Sequence, residues 1–368
     1  MPLAEELLGQ AAAAGLGVCM EKANGTRGAA AVRSAAARLD GLALRERSDL
    51  LRDALLADLP DGYPRTEAIV RTALEDPGFT GWMIWPVTEA VVSRALEAAE
   101  PEAFDAALAL LADLTPRLTA EFAIRRVLVA DPERALTIVQ QWVHHPDEHV
   151  RRLATEGTRP RLPWAIRVPG ITARPRATLP ILDALYRDPS EYVRRSVANH
   201  VNDISHADPD LAVEVVTRWA ADPDEHTPRL IRHALRTAIK KGHPGALALL
   251  GFEPAADVAL TGPELTTTRV TVGEELTFTF HVENTGDTPA KLAIDYVIHY
   301  RKANGTTAPK VFKLTTRTLG AGERASISRR HSFKRISTRV FHPGSHMLEL
   351  QINGVAQGKA GFDLVVPV

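Results

Sequence analysis

Cysteine is almost missing from this chain: one residue, Cys19, in 368. That excludes an intramolecular disulfide and any thiolate cluster able to hold zinc or iron–sulfur. No apolar run approaches the roughly 18 residues of a membrane-spanning helix. The 13 histidines form no H-E-x-x-H pattern. No G-x-x-x-x-G-K-S/T loop cradles a phosphate, and no G-x-S-x-G elbow presents a serine. Hydrolysis driven by metal, nucleotide or serine therefore lacks support, and neither a cofactor nor a metal is expected. Met1 to Gln10 hold acids but no Lys or Arg, so no signal peptide is expected and the cytoplasm is the expected compartment.

Net charge is lacking as well, at -1 for the whole chain. That value averages unlike parts. Residues 1–260 hold 30 basic and 36 acidic side chains, residues 261–368 hold 14 and 9, and Arg151 to Arg195 holds 10 and 4. What is present is ordinary for a globular protein: 45% hydrophobic and 24% charged residues in 40.0 kDa. A chain of this size buries enough surface to fold without staples.

From Ser48 to about Leu250 apolar residues recur at helical spacings of three and four. Asp-Pro or His-Pro pairs punctuate the pattern at Asp76, Asp131, His145, Asp188, Asp208 and Asp222, as expected of helix starts. The corners repeat. Pro132 to Trp142 resembles Pro209 to Trp219 at an offset of 77, and Pro146 to Arg152 resembles Pro189 to Arg195 at an offset of 43. Periods near 40 residues that each hold a helix pair predict a HEAT-like α-solenoid, an αα-superhelix, over residues 1–255. Trp142 and Trp219, at equivalent positions, are expected in its core.

Beyond Gly251 the texture becomes strand-like. Strands are predicted over Glu275–Val282, Lys291–Arg301, Lys310–Leu319, Ala325–Phe333 and His346–Ile352, with turns at Asn304-Gly305, Gly320 to Gly322 and Asn353-Gly354. Residues 256–368 therefore predict an immunoglobulin-like β-sandwich following the solenoid, a label resting on strand number and spacing without a cysteine pair.

The basic block carries the first candidate site. Arg151 and Arg152 follow one corner and Arg194 and Arg195 the equivalent corner, so the four predict a ladder on one side of the solenoid. Arginine suits phosphate because its planar fork donates two hydrogen bonds to one group. Arg151 and Arg194 could instead pair with Glu148 and Glu191. Between the corners, Thr155 to Trp164 interrupts the helical rhythm with Glu156, Arg159, Arg161 and Trp164. That tryptophan either stacks on a nucleotide or fills a seam between helix pairs. Asp203 either shares a helix face with Asn199 or caps the next helix. Glu121 opens a helical stretch at Phe122, where a first-turn acid is favourable without chemistry. Arg232, Lys240 and Lys241 either continue a phosphate track or line a solvated face. Arg335 and Arg339 lie in a loop-like cationic segment of the sandwich, which could reach a groove or discourage edge pairing.

Three runs, Gly81 to Pro86, Glu156 to Trp164 and Tyr192 to Ile204, resemble the AlkC branch of the HEAT-like DNA alkylation-repair glycosylases. The sandwich fits members with an immunoglobulin-like extension. The resemblance implies a monomeric, monofunctional glycosylase acting on double-stranded DNA. It would release cationic methylated bases such as 3-methyladenine, 3-methylcytosine and 1-methyladenine, without drawing them into a deep pocket. By motif match, Glu156, Asp203 and Glu121 fall where the family places carboxylates near the lesion, and Trp164 matches an aromatic of that cleft. Arg152, Arg159, Arg161, Arg195, Arg232, Lys240, Lys241, Arg335 and Arg339 are the expected DNA contacts. The sugar develops oxocarbenium character as the base leaves, so Asp203 is assigned to stabilising it and Glu156 to the water. A non-catalytic damaged-DNA binder and a protein-binding scaffold are the rival readings; no membrane association is expected.

Overall fold

A computed structural model describes residues 3–25, 28–252, 257–336 and 339–367. The chain separates into two compact units, residues 1–204 with 218–234, and residues 205–217 with 235–368. The expected division at 255 and 256 lies outside the described residues. On either side of it the chain changes from the helix Pro244–Ala248 to the strand Val258–Leu265.

Helices begin well before Ser48, at Ala4–Leu7, Gln10–Asn24 and Ala30–Ala36. Leu8, Leu16, Val32 and Leu39 are fully buried in a core that continues to Leu114. Alanine spacing hid this amphipathic pattern, because alanine is too small to give a strong apolar stripe.

The repeats are visible in hydrogen bonds as well as in helices. Arg151 donates to the carbonyls of His145 and Pro146 at 2.9 and 2.8 Å. Arg194, 43 residues on, donates to those of Asp188 and Pro189 at 2.6 and 2.9 Å. Each arginine folds back on the corner before its own helix and satisfies carbonyls that the turn leaves open. Arg151 also grips Asp188 through two nitrogens, at 2.6 and 3.1 Å. Neither pairs with Glu148 or Glu191, and both are corner clasps, so the expected ladder loses them.

Caps repeat too. Asp147 accepts from the His149 N–H at 2.7 Å, and Asp224, 77 residues later, accepts from that of His226 at 3.0 Å. Asp131 and Asp208 cap the helices Pro132–Gln141 and Pro209–Ala221, each with proline in the first turn. Asp76-Pro77 departs from the pattern: Asp76 accepts from the Gly78 N–H at 2.8 Å, and a short 3₁₀ turn, Gly81–Met83, comes before the helix Ile84–Ala98. The second helices of successive repeats, Glu148–Glu156, Glu191–Ile204 and Thr227–Ala234, pack side by side as one layer. Trp142 and Trp219 are buried as expected.

The strands are β1 Val258–Leu265, β2 Arg269–Thr271, β3 Glu275–Asn284, β4 Ala290–Arg301, β5 Thr307–Leu319, β6 Arg324–Ser332, β7 Gly344–Ile352 and β8 Val355–Val365. One sheet has the order β1-β3-β6 and the other β2-β8-β7-β4-β5. Alternation sends Leu276, Phe278, Phe280 and Val282 of β3 into the core against Leu292, Ile294, Tyr296 and Ile298 of β4. The hairpin β7–β8 turns on Asn353 and Gly354, both at positive φ, as a two-residue turn requires. β1, β2 and β8 were not predicted; β8 carries Gly358 and Gly361 and little alternation.

His331 on β6 bridges the two sheets. Its ring nitrogens lie 3.0 and 2.9 Å from the hydroxyls of Tyr296 and Tyr300 on β4. This polar crosslink stands in a sandwich that has no cysteine pair. Burial, with the charges of Arg339, Lys310 and Arg329, lowers the imidazole to about 4. Among the described residues, no helix is long and apolar enough to cross a membrane.

Below pH 6.5 the unfolded chain binds a proton that the folded His331 refuses until about pH 4. Stability of the sandwich should therefore fall through this window, by roughly 3 kcal/mol from this residue. Thermal melts from pH 7 to 4.5 should show the decline, and a smaller one in His331→Gln. Equal declines in both proteins would contradict this role.

Candidate active site

Two helices and the loop between the repeats converge on one buried guanidinium. Helix Glu148–Glu156 presents Arg152 and Glu156 one turn apart on the same face. It stops at Gly157, where a Cβ would stand 2.7 Å from the Ile124 side chain; glycine alone allows the chain to turn so close. The following loop is held by Arg125, which is fully buried. Arg125 donates to the carbonyls of Ile166 at 2.5 Å, Gly157 at 3.0 Å and Arg159 at 2.8 Å. Burial lowers its guanidinium to about 10, so it stays charged at neutral pH.

So anchored, the loop directs Arg159 between two carboxylates. Its Nη1 donates to Glu156 at 2.5 Å, while Nε and Nη2 donate to both oxygens of Asp203 at 2.8 and 3.2 Å. The Arg161 N–H adds a bond to Asp203 at 3.3 Å. Ser196 donates to the second oxygen of Glu156 at 2.6 Å and itself accepts from Thr155. Ser196, His200 and Asp203 form a polar stripe along helix Glu191–Ile204. His200 Nδ1 donates to the Thr155 carbonyl at 3.0 Å, and complete burial lowers this ring to about 4. It is a neutral strut between the helices.

Arg152 extends the network. It bonds Glu121 at 2.5 Å, lies 3.5 Å from Glu156, and rests over the Tyr192 ring at 5.0 Å. Glu121 also accepts from Thr119 at 3.0 Å. Three carboxylates thus share Arg152 and Arg159, with Arg125 balancing the sum from behind the loop.

Glu156 and Asp203 are only 5% and 6% exposed, so their charges act in a poorly screened setting. Burial pushes Glu156 up, yet Arg152, Arg159 and the Ser196 hydroxyl outweigh it and hold the carboxyl below its ordinary range. At Asp203 burial wins and raises the carboxyl, against the Arg159 bonds. The two acids are joined by one guanidinium but differ in proton affinity.

Trp164 does not fill a seam. It is 64% exposed, with φ at +61°, a conformation rare for any residue but glycine. Its carbonyl accepts from Arg45 at 3.2 Å, and Arg45 in turn rests over Trp85 at 5.2 Å. The ring thus stands outward on a left-handed backbone.

The structure therefore gathers Glu121, Glu156 and Asp203 into one cluster, with Asp203 capping no helix. Arg152 and Arg159, expected on DNA, are turned inward because the buried Glu156 and Asp203 and the half-buried Glu121 require them. Arg161, Arg195 and Arg232 are exposed in the same compact unit, Arg195 pairing with Glu191 at 3.2 Å. Lys240, Lys241 and Arg335 are exposed in the other unit. Arg339 lies there as well, stacked 3.7 Å from the Tyr300 ring centre. Ser337 and Thr338 of its loop lie outside the described residues. Sequence reasoning missed Arg125, Ser196 and His200, although the spacing of Ser196, His200 and Asp203 along one helix offered a signal. At an offset of 77 Arg229, not Arg232, repeats Arg152, and it shares Glu191 with Arg195, each at 3.2 Å.

Comparisons with known proteins place the chain in a family. Residues 92–241 match the family described as DNA alkylation repair enzyme. Residues 259–366 match the C-terminal Ig-like domain described for the uncharacterised protein YhaZ. The chain is 37% identical over 324 residues to protein YhaZ of Bacillus subtilis (strain 168), covering 88% of each. It is similar at 34% identity to the solved structure of Pseudomonas fluorescens alkylpurine DNA glycosylase AlkC bound to DNA containing an abasic site analog, with a TM-score of 0.83 and 99% of each chain covered. A helical repeat unit enclosing clustered carboxylates, an Ig-like sandwich after it, and identity along nearly the whole length leave one conclusion: the chain belongs to the AlkC-like branch of the DNA alkylation repair enzyme family.

Proposed function

We propose that this protein is a monofunctional DNA glycosylase that hydrolyses the N-glycosidic bond of cationic methylated bases in duplex DNA. 3-Methyladenine and 3-methylcytosine are the proposed substrates, with 1-methyladenine as a further one, and the cytoplasmic DNA as the place of action. Residues 1–255 carry binding and catalysis, and residues 256–368 add grip on the duplex. The observation that supports this most is the pair Glu156 and Asp203 on a single guanidinium, with the exposed Trp164 on the same loop as Arg159.

A base methylated at a ring nitrogen already carries positive charge, so its departure needs little protonation. What must be stabilised is the sugar, which gains positive charge as the bond lengthens. A preorganised carboxylate in a dry site does this without reorganisation at the moment of reaction. Glu156, held ionised by two arginines and Ser196, suits that role. Asp203, whose burial raises its affinity for a proton, suits the acceptor that deprotonates water. This exchanges the roles assigned from sequence, where nothing distinguished the two acids. Glu121 keeps Arg152 against Glu156. Trp164 presses on the nucleotide from outside and limits water. Arg161, Arg195, Arg232, Lys240, Lys241, Arg335 and Arg339 contact backbone phosphates.

Purified protein should release free methylated bases from methylated duplex in the presence of chelator, leaving abasic sites. Release no faster than the spontaneous rate, with damaged duplex still bound, would favour the non-catalytic binder instead. Asp203→Asn keeps the side chain's shape and should slow release by about 10²–10⁴ while duplex binding persists. Full activity in that variant would remove Asp203 from the mechanism.

Trp164→Gly should separate stability from function. Glycine relieves a left-handed backbone worth about 1 kcal/mol and gives up only an exposed ring. Thermal stability should stay level or rise while base release drops. A variant that loses stability and keeps its activity would mark Trp164 as structural.

A further inference from the structure

A second charged centre lies in the sandwich unit, and of its residues the reading above uses Arg339 alone. Where β4 ends and β5 begins, Arg301, Lys302 and Lys310 surround an open cavity of about 210 Å³, with Tyr300, Arg339 and His342 completing the wall. No acid lines it. Among the described residues, none of Arg301, Lys302, Lys310 and Arg339 forms an ion pair. That contrasts with the helical unit, where Arg152 and Arg159 are each matched by carboxylates. Arg339 is held in place over the Tyr300 ring, so its position is built and not a chance excursion of a long side chain. Burial, then repulsion from Arg339 and Lys240, lowers the Lys310 ammonium.

Converging cations without a counter-charge cost stability. Lysines on an exposed edge strand can be explained as guards against sheet pairing, and β5 is such an edge. That account leaves unexplained why Arg339, from a different segment, is stacked beside Lys310. The cavity lies below the roughly 300 Å³ at which small-molecule clefts begin, which suits one tetrahedral oxyanion. Val340 also lines it and is 77% exposed. A free phosphate in water would gain nothing from that apolar side chain, whereas a sugar edge beside a backbone phosphate would cover it.

We propose that this cavity is a seat for one backbone phosphate of duplex DNA, gripped by Lys310, Arg339 and Arg301, with Val340 against the adjoining sugar. The proposal rests on the reading that the protein acts on duplex DNA. It adds a defined contact that reads phosphate position and not base identity.

The test compares the unaltered chain, a Lys310→Gln/Arg339→Gln double variant and a Lys310→Arg/Arg339→Lys double variant. Affinity for undamaged and abasic-site duplexes is measured across salt concentrations. Each phosphate neutralised contributes about 0.9 to the slope of log affinity against log salt. The glutamine variant should lose about that much on both duplexes, and the charge-retaining variant should keep the original slope. A slope unchanged by the glutamine pair overturns the seat. So does an equal loss in both variants, which would report damage to the loop instead of a lost charge. Inorganic phosphate serves as the second probe. If it raises the thermal stability of the unaltered chain while the glutamine pair leaves the duplex slope unchanged, the seat takes small phosphates, and its assignment to DNA fails. Base release by the unaltered chain tests the glycosylase reading alone, and the slope stands whichever way that assay falls.

Discussion

The guanidinium of Arg159 lies between Glu156 and Asp203, and the candidate site takes its form from that sharing. Two carboxylates this deeply buried would repel each other and lose their hydration without a fixed cation between them. Lysine could not serve both, because one ammonium lacks the planar fork that reaches Asp203 with two nitrogens and Glu156 with a third. The arrangement depends in turn on the loop that carries Arg159. Arg125 fixes that loop from behind through three carbonyls, and Gly157 lets it leave the helix against Ile124. A glycine, one buried arginine and one shared arginine thus set where the negative charge is held.

The two charged centres show opposite treatments of the same side chain. In the helical unit the arginines around the candidate site, Arg152 and Arg159, are saturated by acids, and Arg151 and Arg194 by carbonyls of the repeat corners and, for Arg151, by Asp188. In the sandwich unit cations gather around a cavity with no acid at all. Saturated charge rigidifies; unsaturated charge waits for a ligand. A polyanion supplies what the sandwich cations lack, whereas the enclosed acids suit a group that becomes positive. The proposed substrate, a duplex whose damaged nucleotide carries positive charge within a negative backbone, would meet both demands.

Much of the fold was legible because it is periodic. The helix pairs, the 43- and 77-residue offsets and five strands were readable from spacing alone, since a repeated corner needs the same caps and clasps each time. The N-terminal helices were not, because alanine leaves a faint stripe. β8 was not, because its glycines interrupt alternation. At the site, residue type was legible and direction was not. Arg151 and Arg152 are neighbours, yet one clasps a corner and the other meets Glu121 and Glu156. Adjacent positions on a helix point about a quarter-turn apart, and only packing decides which side is the acids' side.

By itself the sequence determined the succession of helix pairs and strands, the lack of an intramolecular disulfide or a thiolate cluster, and the acids and arginines crowded between Glu121 and Asp203. Those follow from local periodicity and residue chemistry, which need no knowledge of distant contacts. Tertiary structure alone decided that Glu156 and Asp203, 47 residues apart in the chain, meet on one guanidinium, and that Trp164 stands outward on a left-handed backbone. It also decided that burial separates the proton affinities of two otherwise similar carboxyls. Desolvation and charge pairing belong to the folded environment, and a linear order of residues does not contain them.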